Sequence, residues 1–290
     1  KLLKVLASLA VLVAGQATQA DDVPGVTDDC ILVGMTTDLS GPLAFVGQQE
    51  SAGARLYLNH INEHGGVHGR QIELRVEDDG YQPPRTVAAF RKLLDRDGVF
   101  CFAGNMGTPT TMATLPFIQR AGVPLVGPLT NSSQMSEPPK EHVFAVDPNY
   151  PTQAWLLVQY IAEVEQASEA RLAVVYQDDD AGRDGLKGMR AAAEHYGLPI
   201  VAAESYKRGS VDLGTQTLNL RQADPSHVIL LTIYREGAAV MTEARQAGWQ
   251  PQFLGWGPAS VAKTVELAGD AAAGFLGLGI FDYESDAVPV

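Results

Sequence analysis

The chain has 290 residues, and its 34 acidic and 21 basic side chains give a formal net charge of −13. This acidity argues against nucleic acid and anionic membrane as partners, because both require a cationic face. Hydrophobic residues make up 46 % of the chain and charged residues 19 %, which excludes a disordered tail and a membrane bundle, and the length is typical of two domains.

Residues 1–20, KLLKVLASLAVLVAGQATQA, predict a secretory signal peptide. Lys1 and Lys4 precede an apolar run that is too short to span a membrane, and small residues follow as far as Ala20. We therefore expect cleavage after Ala20 and export to the periplasm. No cysteine lies near the cut, so no lipid anchor is expected.

Two cysteines, Cys30 and Cys101, are too few for a disulfide scaffold or a zinc site built on cysteine pairs. Both fall on predicted strands. In an oxidising compartment the two thiols either pair with each other or remain free and buried.

Apolar runs rich in β-branched residues alternate with amphipathic runs along the rest of the chain, which predicts an α/β fold with mainly parallel sheets covered by helices. Strands are predicted at 31–37, 72–77, 99–103, 123–126, 172–176, 200–205, 227–234 and 253–256. Helices are predicted at 48–63, 83–95, 109–120, 150–164, 184–196, 213–222, 236–246 and 260–267. Two such series predict two Rossmann-like lobes, 21–146 and 147–280, with a crossover at 144–150 and one cleft between the carboxyl ends of their strands.

The loop GNMGTPTT at 104–111 has the composition of an anion-binding helix start. Thr108 suits the N-cap and Pro109 the first helical position, while Gly107 lets the backbone approach a ligand. The free amides of Thr110 and Thr111 would then hold a carboxylate without any lysine or arginine. An ordinary capped helix without a ligand explains the same residues.

Other strand-ending loops add polar and apolar groups to the same cleft. The loop 127–133 contributes donors at Thr130, Asn131 and Ser132, and the loop 38–47 contributes Phe45 and Val46 as apolar walls. In the second lobe the loops are 176–182, 234–236 and 256–258. The three aspartates at 178–180 are interpreted as a solvated or ligand-facing loop, since the further ligands of a calcium loop are missing.

The sequence HINEH at 60–64 matches an inverted zinc motif, in which His60 and His64 would be ligands beside Glu63. The helix ends at the following two glycines, however, where a histidine simply complements the helix dipole. No nucleophile elbow, phosphate loop or dinucleotide turn is present, so neither an enzyme nor a cofactor is predicted.

The chain resembles the type I periplasmic solute-binding proteins of ABC transporters, specifically the branched-chain amino-acid-binding group. The resemblance covers residues 28–282 and is carried by LSGPLAFVG, INEHGGVHGRQIELRVEDDGYQPPRTV, VFCFAGNMGTPTT, VVYQDDDAGRDGLKG and EARQAGWQPQFLG in that order. It implies two hinged lobes that close on a small polar solute. It also implies that the chain at 281–290 begins a crossover back to the first lobe, and that a further C-terminal part of the family lies beyond it.

The resemblance implies that Thr108 holds the ligand carboxylate, with backbone from Gly107 and Thr110. Tyr234 and Trp256 would cover the apolar part from the second lobe. The complete set of expected ligand-binding residues is Phe45, Val46, Asn105, Gly107, Thr108, Thr110, Thr130, Asn131, Ser132, Tyr150, Asp180, Tyr234 and Trp256.

Two departures concern the ligand's ammonium group. Relatives that bind amino acids place a carboxylate near Gly257, and a second-lobe tyrosine is expected near Ala181; both are missing here. Either Asp180 or Glu236 replaces the ammonium partner, or the ligand is an aromatic or aliphatic acid without an ammonium group.

The expected function is therefore capture of a small carboxylate by a monomeric periplasmic protein that delivers it to a membrane permease. One alternative is a periplasmic sensor for a membrane receptor. The other is a secreted zinc hydrolase that uses His60, Glu63 and His64.

Overall fold

The computed structural model describes residues 23–210 and 212–280. The predicted signal peptide and the expected crossover at 281–290 lie outside these residues. Within the described ranges, no helix combines the length and apolar character needed to cross a bilayer.

The first lobe is a five-stranded parallel sheet with helices between its strands. Its strands are β1 Cys30–Thr37, β2 Gln71–Asp78, β3 Cys101–Ala103, β4 Leu125–Val126 and β5 Val143–Phe144. Its helices are α1 Ala44–Glu63, α2 Pro83–Arg91 and α3 Thr108–Ala121.

The second lobe repeats the arrangement after the crossover. Its strands are β6 Leu172–Gln177, β7 Ile200–Tyr206, β8 His227–Leu231, β9 Gln252–Gly255 and β10 Leu276–Gly277. Its helices are α4 Tyr150–Gln159, α5 Asp180–Tyr196, α6 Gly214–Gln222, α7 Tyr234–Gln246 and α8 Ala262–Ala268. The predicted α/β class with two parallel sheets is confirmed.

Both sheets have the same strand order. The first runs β2-β1-β3-β4-β5, and the second, counted from its other edge, runs β7-β6-β8-β9-β10. In each lobe the order reverses beside the first strand, between β1 and β3 and between β6 and β8. Such switch points leave a crevice at the carboxyl ends of the strands, and ligands of open parallel sheets bind there.

The apolar interior has a part in each lobe and a part between the lobes. The largest cluster lies in the second lobe around β6, β8 and the helices that cover them. Two clusters cover the two faces of the first sheet. A fourth cluster joins Leu43, Tyr81 and Met106 of the first lobe to Ile233 and Tyr234 of the second.

Several element ends differ from the sequence prediction. The strand predicted at 227–234 ends at Leu231, because Tyr234 already begins α7. Helix α5 begins at Asp180, four residues before its predicted start, because Asp179 caps it by accepting from the amides of Ala181 and Gly182. Helices α2 and α4 continue as one π-helical turn each, at Lys92–Arg96 and Tyr160–Val164.

The two cysteines are free thiols. They lie on the neighbouring strands β1 and β3, but Cys101 is opposite Val33, so Cys30 is three residues away along the strand. Three residues of strand span about 10 Å, which exceeds the roughly 7 Å between Cα atoms that a disulfide can bridge.

Candidate functional site

A cavity of about 270 Å³ lies between the lobes at the carboxyl ends of both sheets. The loops after β1 and β3 form one side, and the loops after β6 and β8 form the other. Its volume is near the lower end of the range for small-molecule sites. No lysine, arginine or histidine is among the described residues that line it.

The start of helix α3 forms one polar end of the cavity. Gly107 is the N-cap, with φ +89°, and Thr108 is the first helical residue, so the helix begins one residue earlier than predicted. The hydrogen bonds among the described residues leave the backbone N–H groups of Thr108 and Thr110 unused. Because these amides lie at the positive end of a 14-residue helix, they form a seat for an anion.

The Thr108 hydroxyl is held in a buried network. Its Oγ1 lies 2.7 Å from Oγ1 of Thr130 and donates to the hydroxyl of Tyr150 at 3.4 Å. Burial raises the pKa of Tyr150, so the phenol stays neutral. The network therefore places uncharged hydroxyl groups beside the free amides.

Trp256 covers the second-lobe side of this polar end. Its ring centroid lies 4.4 Å from that of Tyr150, and its Nε1 donates to the carbonyl oxygen of Thr232 at 2.6 Å. Trp256 is 2 % exposed, and the hydrogen bond satisfies its one polar atom. The indole therefore presents an apolar face to the cavity.

The rest of the wall is mainly apolar and comes from both lobes. Leu43, Val46, Tyr81, Met106 and Ile233 line the cavity and also belong to the apolar cluster between the lobes. An apolar body bound here would contact both lobes at once.

Acidic groups are scarce in the cavity wall. Asp147, in the crossover, is the one carboxylate among the described lining residues. At Gly257, a Cβ would lie 2.8 Å from Cδ1 of Ile280 and 3.2 Å from Oε1 of Gln153, so a side chain there would require these two side chains to shift.

The two carboxylates that the sequence suggested as ammonium partners lie elsewhere. Asp180 is exposed at the start of α5, 4.0 Å from the guanidinium of Arg183. Glu236 is 2 % exposed but is absent from the cavity wall, and its Oε2 has no hydrogen-bond partner among the described residues. Burial raises the pKa of Glu236 to about 7.

The structure brings part of the expected site together. The predicted residues that line the cavity are Val46, Gly107, Thr108, Asn131, Tyr150 and Trp256. Asn131 also donates from Nδ2 to the carbonyl oxygen of Pro148, which ties the loop after β4 to the crossover.

Three other predicted residues lie behind the wall of the first lobe. The Thr110 hydroxyl donates to the carbonyl oxygens of Met106 and Gly107 within its own turn. Ser132 accepts from the amide of Gln134 and caps a short 3-10 helix. Thr130 lies behind the Thr108 hydroxyl, 2.7 Å from it, and accepts from the amide of Ser132.

Three more are also outside the wall. Asn105 is fully buried and accepts from the amide of Thr36 through Oδ1. Phe45 is 37 % exposed and packs beside Tyr234. Tyr234, which we expected to cover the ligand, instead donates across the lobes to the carbonyl oxygen of Pro42 at 3.0 Å.

Sequence reasoning missed several lining residues, chiefly Leu43, Tyr81, Gln177 and Thr232. Leu43, Tyr81 and Thr232 follow β1, β2 and β8, and Gln177 is the last residue of β6, so position at a strand end was the available signal. Thr232 has a hydroxyl without a partner among the described residues.

The histidine pair lies at the C-terminal end of α1, whereas Val46, near the other end of the same helix, lines the cavity. The rings of His60 and His64 are 4.3 Å apart, and Nδ1 of His64 lies 2.8 Å from the carbonyl oxygen of His60. Across the part of the chain that the structure describes, no three His, Cys, Asp or Glu side chains group as metal ligands.

Known proteins are similar to this chain in sequence and in fold. A model of the periplasmic binding protein family matches residues 31–288. A leucine-, isoleucine-, valine-, threonine- and alanine-binding protein of Pseudomonas aeruginosa is 24 % identical over 248 residues, which make up 86 % of this chain and 66 % of that protein.

Two solved structures are similar in fold and sequence. A fatty acid ABC transporter substrate-binding protein from Thermomonospora curvata is 26 % identical with a TM-score of 0.79, over 87 % of this chain and 64 % of that one. A branched-chain amino acid ABC transporter protein from Thermus thermophilus with bound valine is 25 % identical with a TM-score of 0.78, over 87 % of this chain and 65 % of that one. The chain therefore spans slightly under two thirds of the length of these relatives.

Proposed function

The chain belongs to the periplasmic binding protein family, and we propose that it captures a small monocarboxylate with an apolar body between its lobes. The captured acid is then delivered to the membrane permease of an ABC transporter, after export of the protein to the periplasm. The observation that carries the proposal is the cavity itself, which joins an uncharged anion seat to an apolar wall drawn from both lobes.

The seat suits a carboxylate for electrostatic reasons. The amides of Thr108 and Thr110 lie at a helix start, where partial positive charge favours an anion. The Thr108 hydroxyl beside them would donate its one proton to the carboxylate in place of Tyr150. When closure removes water, these protein donors still bind the carboxylate, and their hydrogen bonds offset the free-energy cost of burying its charge.

The apolar wall suits a hydrocarbon or aromatic body. Ligand atoms that contact Val46 and Met106 in one lobe and Ile233 and Trp256 in the other stabilise the closed state, because the open state offers only half of these contacts. Valine and fatty acids, named in the two solved relatives, share a carboxylate and an apolar body, which agrees with this ligand class.

We propose further that the ligand carries no ammonium group. Position 257 is a glycine and offers no carboxylate, Asp180 is exposed, and Glu236 is not in the wall. A buried ammonium without an anionic partner would cost several kcal/mol. The remaining candidate partner is Asp147 at the crossover.

A matched set of ligands tests both parts of the proposal. Isothermal titration would compare 4-methylpentanoate, leucine and 4-methylpentanamide, which share one carbon skeleton. We expect 4-methylpentanoate to bind at least about tenfold more tightly than the other two, because leucine adds an unpaired charge and the amide lacks the anion.

The variant Asp147→Asn serves as the control. It should leave the affinity for 4-methylpentanoate unchanged. Tighter binding of leucine that is lost in Asp147→Asn would show that the ligand is an amino acid held through Asp147. Equal binding of the acid and the amide would contradict the anion seat.

A further inference from the structure

Tyr81 adopts a backbone conformation that tyrosine rarely takes. It follows β2 and has φ +58°, in the left-handed region. Its N–H donates to Oδ1 of Asp79 at 2.8 Å, and the other oxygen of Asp79 accepts from the Thr86 hydroxyl at 2.9 Å. Because Asp79 is fully buried and doubly hydrogen-bonded, the surrounding structure holds Tyr81 in this strained conformation.

The strained conformation brings the ring of Tyr81 to the anion seat. A Cβ built on Gly107 would lie only 2.4 Å from Cε2 of Tyr81, so the ring rests directly on the N-cap of α3. Tyr81 is 4 % exposed and lines the cavity. A carboxylate at the seat would therefore lie beside this ring.

The second lobe engages the same side chain from the opposite side. Nε2 of Gln177 donates to the Tyr81 hydroxyl at 3.4 Å, and the guanidinium carbon of Arg208 lies 5.1 Å from the ring centroid. Gln177 is itself oriented within its lobe, because it donates to Asp179 and accepts from the Tyr206 hydroxyl at 3.5 Å. Tyr81 of the first lobe therefore accepts a hydrogen bond from the second lobe and also lies beside one of its cations.

We propose that Tyr81 is a positioning residue that couples occupancy of the anion seat to closure of the lobes, through Gln177 and Arg208. In the closed state the ring is held between the seat and the second lobe, and a ligand that packs against the ring stabilises the conformation that Gln177 and Arg208 recognise. The identity of the ligand rests on the proposed function, whereas the contacts among these three residues do not.

The experiment measures lobe opening directly. Small-angle X-ray scattering of the protein without ligand, fitted as a mixture of closed and opened forms, gives the ratio of the two. Tyr81→Phe keeps the ring and removes the hydroxyl, so we expect the closed-to-open ratio to fall roughly threefold to tenfold. The matched control Tyr57→Phe, at a tyrosine that is 65 % exposed on α1, should leave the ratio unchanged.

A double-mutant cycle separates coupling from a merely structural effect. Gln177→Leu should open the protein about as much as Tyr81→Phe, and the two together should open it no further, because both remove the same bond. Additive effects, an unchanged ratio in Tyr81→Phe, or a wild-type protein already as open as the variants would each overturn the proposal.

The same proteins distinguish this inference from the proposed function. Titration with 4-methylpentanoate should show weaker binding to Tyr81→Phe than to wild type, by roughly the factor seen in scattering. If the wild-type protein binds no carboxylate, the proposed function is refuted. If Tyr81→Phe still opens the lobes in that case and the cycle is non-additive, the role of Tyr81 in holding the lobes closed stands.

Discussion

The hydroxyl of Thr108 is the residue-scale feature on which the anion seat depends. The substitution Thr108→Val keeps the shape of the side chain and removes its hydrogen bonds to Thr130 and Tyr150. We expect the affinity for 4-methylpentanoate to fall about tenfold, corresponding to 1–2 kcal/mol, because a donor to a charged group is lost. Titration calorimetry measures the change.

Ser132→Ala is the control for that experiment. Ser132 is buried near the same rim but caps a 3-10 helix and is absent from the cavity wall. We expect unchanged affinity with a small loss of stability. Equal losses of affinity in both variants would show that the hydroxyl of Thr108 has no special role.

Glu50 is a buried carboxyl in the first lobe that the proposed function does not use. It accepts a hydrogen bond from the Thr37 hydroxyl at 2.8 Å. Burial, with a smaller contribution from the nearby Asp79, raises its pKa from the ordinary 4.5 to about 8, although the Thr37 bond opposes the shift. The folded protein therefore holds a proton on Glu50 at neutral pH.

The raised pKa of Glu50 predicts how stability changes with pH. Between pH 4.5 and 8 the folded state binds a proton that the unfolded state has released, so the free energy of unfolding falls as pH rises through this range. Glu50→Gln should remove this dependence and stabilise the protein at pH 9 by a few kcal/mol relative to wild type. Urea denaturation at pH 5 and pH 9 tests this, and parallel pH dependences in the two proteins would contradict it.

At the residue scale, sequence reasoning located one cavity loop from that loop's own composition, and anion binding by the loop stays a prediction. The glycines, threonines and proline of 104–111 predicted an anion-binding helix start, and Thr108 and Gly107 do line the cavity. Sequence reasoning failed for Asp180, which was expected in the ligand site, because α5 begins at Asp180, four residues before its predicted start, and this leaves Asp180 in solvent with Asp179 as the cap. The link that Tyr81 makes between the lobes could not be predicted, because Gln177 and Arg208 reach it from the other lobe.

At the scale of elements, the start of helix α3 requires glycine at position 107. Gly107 has φ +89°, and an added Cβ would lie 2.4 Å from the Tyr81 ring and 2.6 Å from the Thr110 hydroxyl. Gly107→Ala should therefore lower the free energy of unfolding by about 1–3 kcal/mol and displace Tyr81 from the seat. Thermal denaturation and ligand titration measure the two effects.

Gly53→Ala is the control for Gly107→Ala, because it makes the same change at a glycine with open space around it. Gly53 lies within helix α1, and a Cβ there meets no atom within 4 Å. The same change should stabilise the protein by about 0.5–1 kcal/mol, because alanine favours the helix, and should leave binding unaltered. A loss of stability at Gly53 comparable to that at Gly107 would argue against a steric requirement at the helix start.

The helices and long strands were predictable because their periodicity and length carry a clear pattern. Strands β5 and β10 have two residues each and are too short to show one. Their parallel pairing with β4 and β9 depends on neighbours distant in sequence. The π-helical turns after α2 and α4 likewise have no periodic signal that distinguishes them from ordinary helix.

On the scale of the whole molecule, contacts between the lobes determine where the cleft lies. The two sheets have the same strand order, and the loops at the switch point of each sheet line the same cavity. Tyr234 bonds to Pro42 across it, and Asp184 of α5 accepts from both the amide and the hydroxyl of Ser133 at 2.7 Å. The sequence predicts two lobes and a cleft, but these side-chain contacts follow only from the relative position of the lobes.

The most direct test of the account is the titration of wild-type protein with 4-methylpentanoate at two temperatures. Capture between the lobes predicts one site per chain and a negative change in heat capacity, because closure buries the ligand body and apolar surface of both lobes. Absence of binding, or binding with no change in heat capacity, would contradict capture of a carboxylate in this cavity.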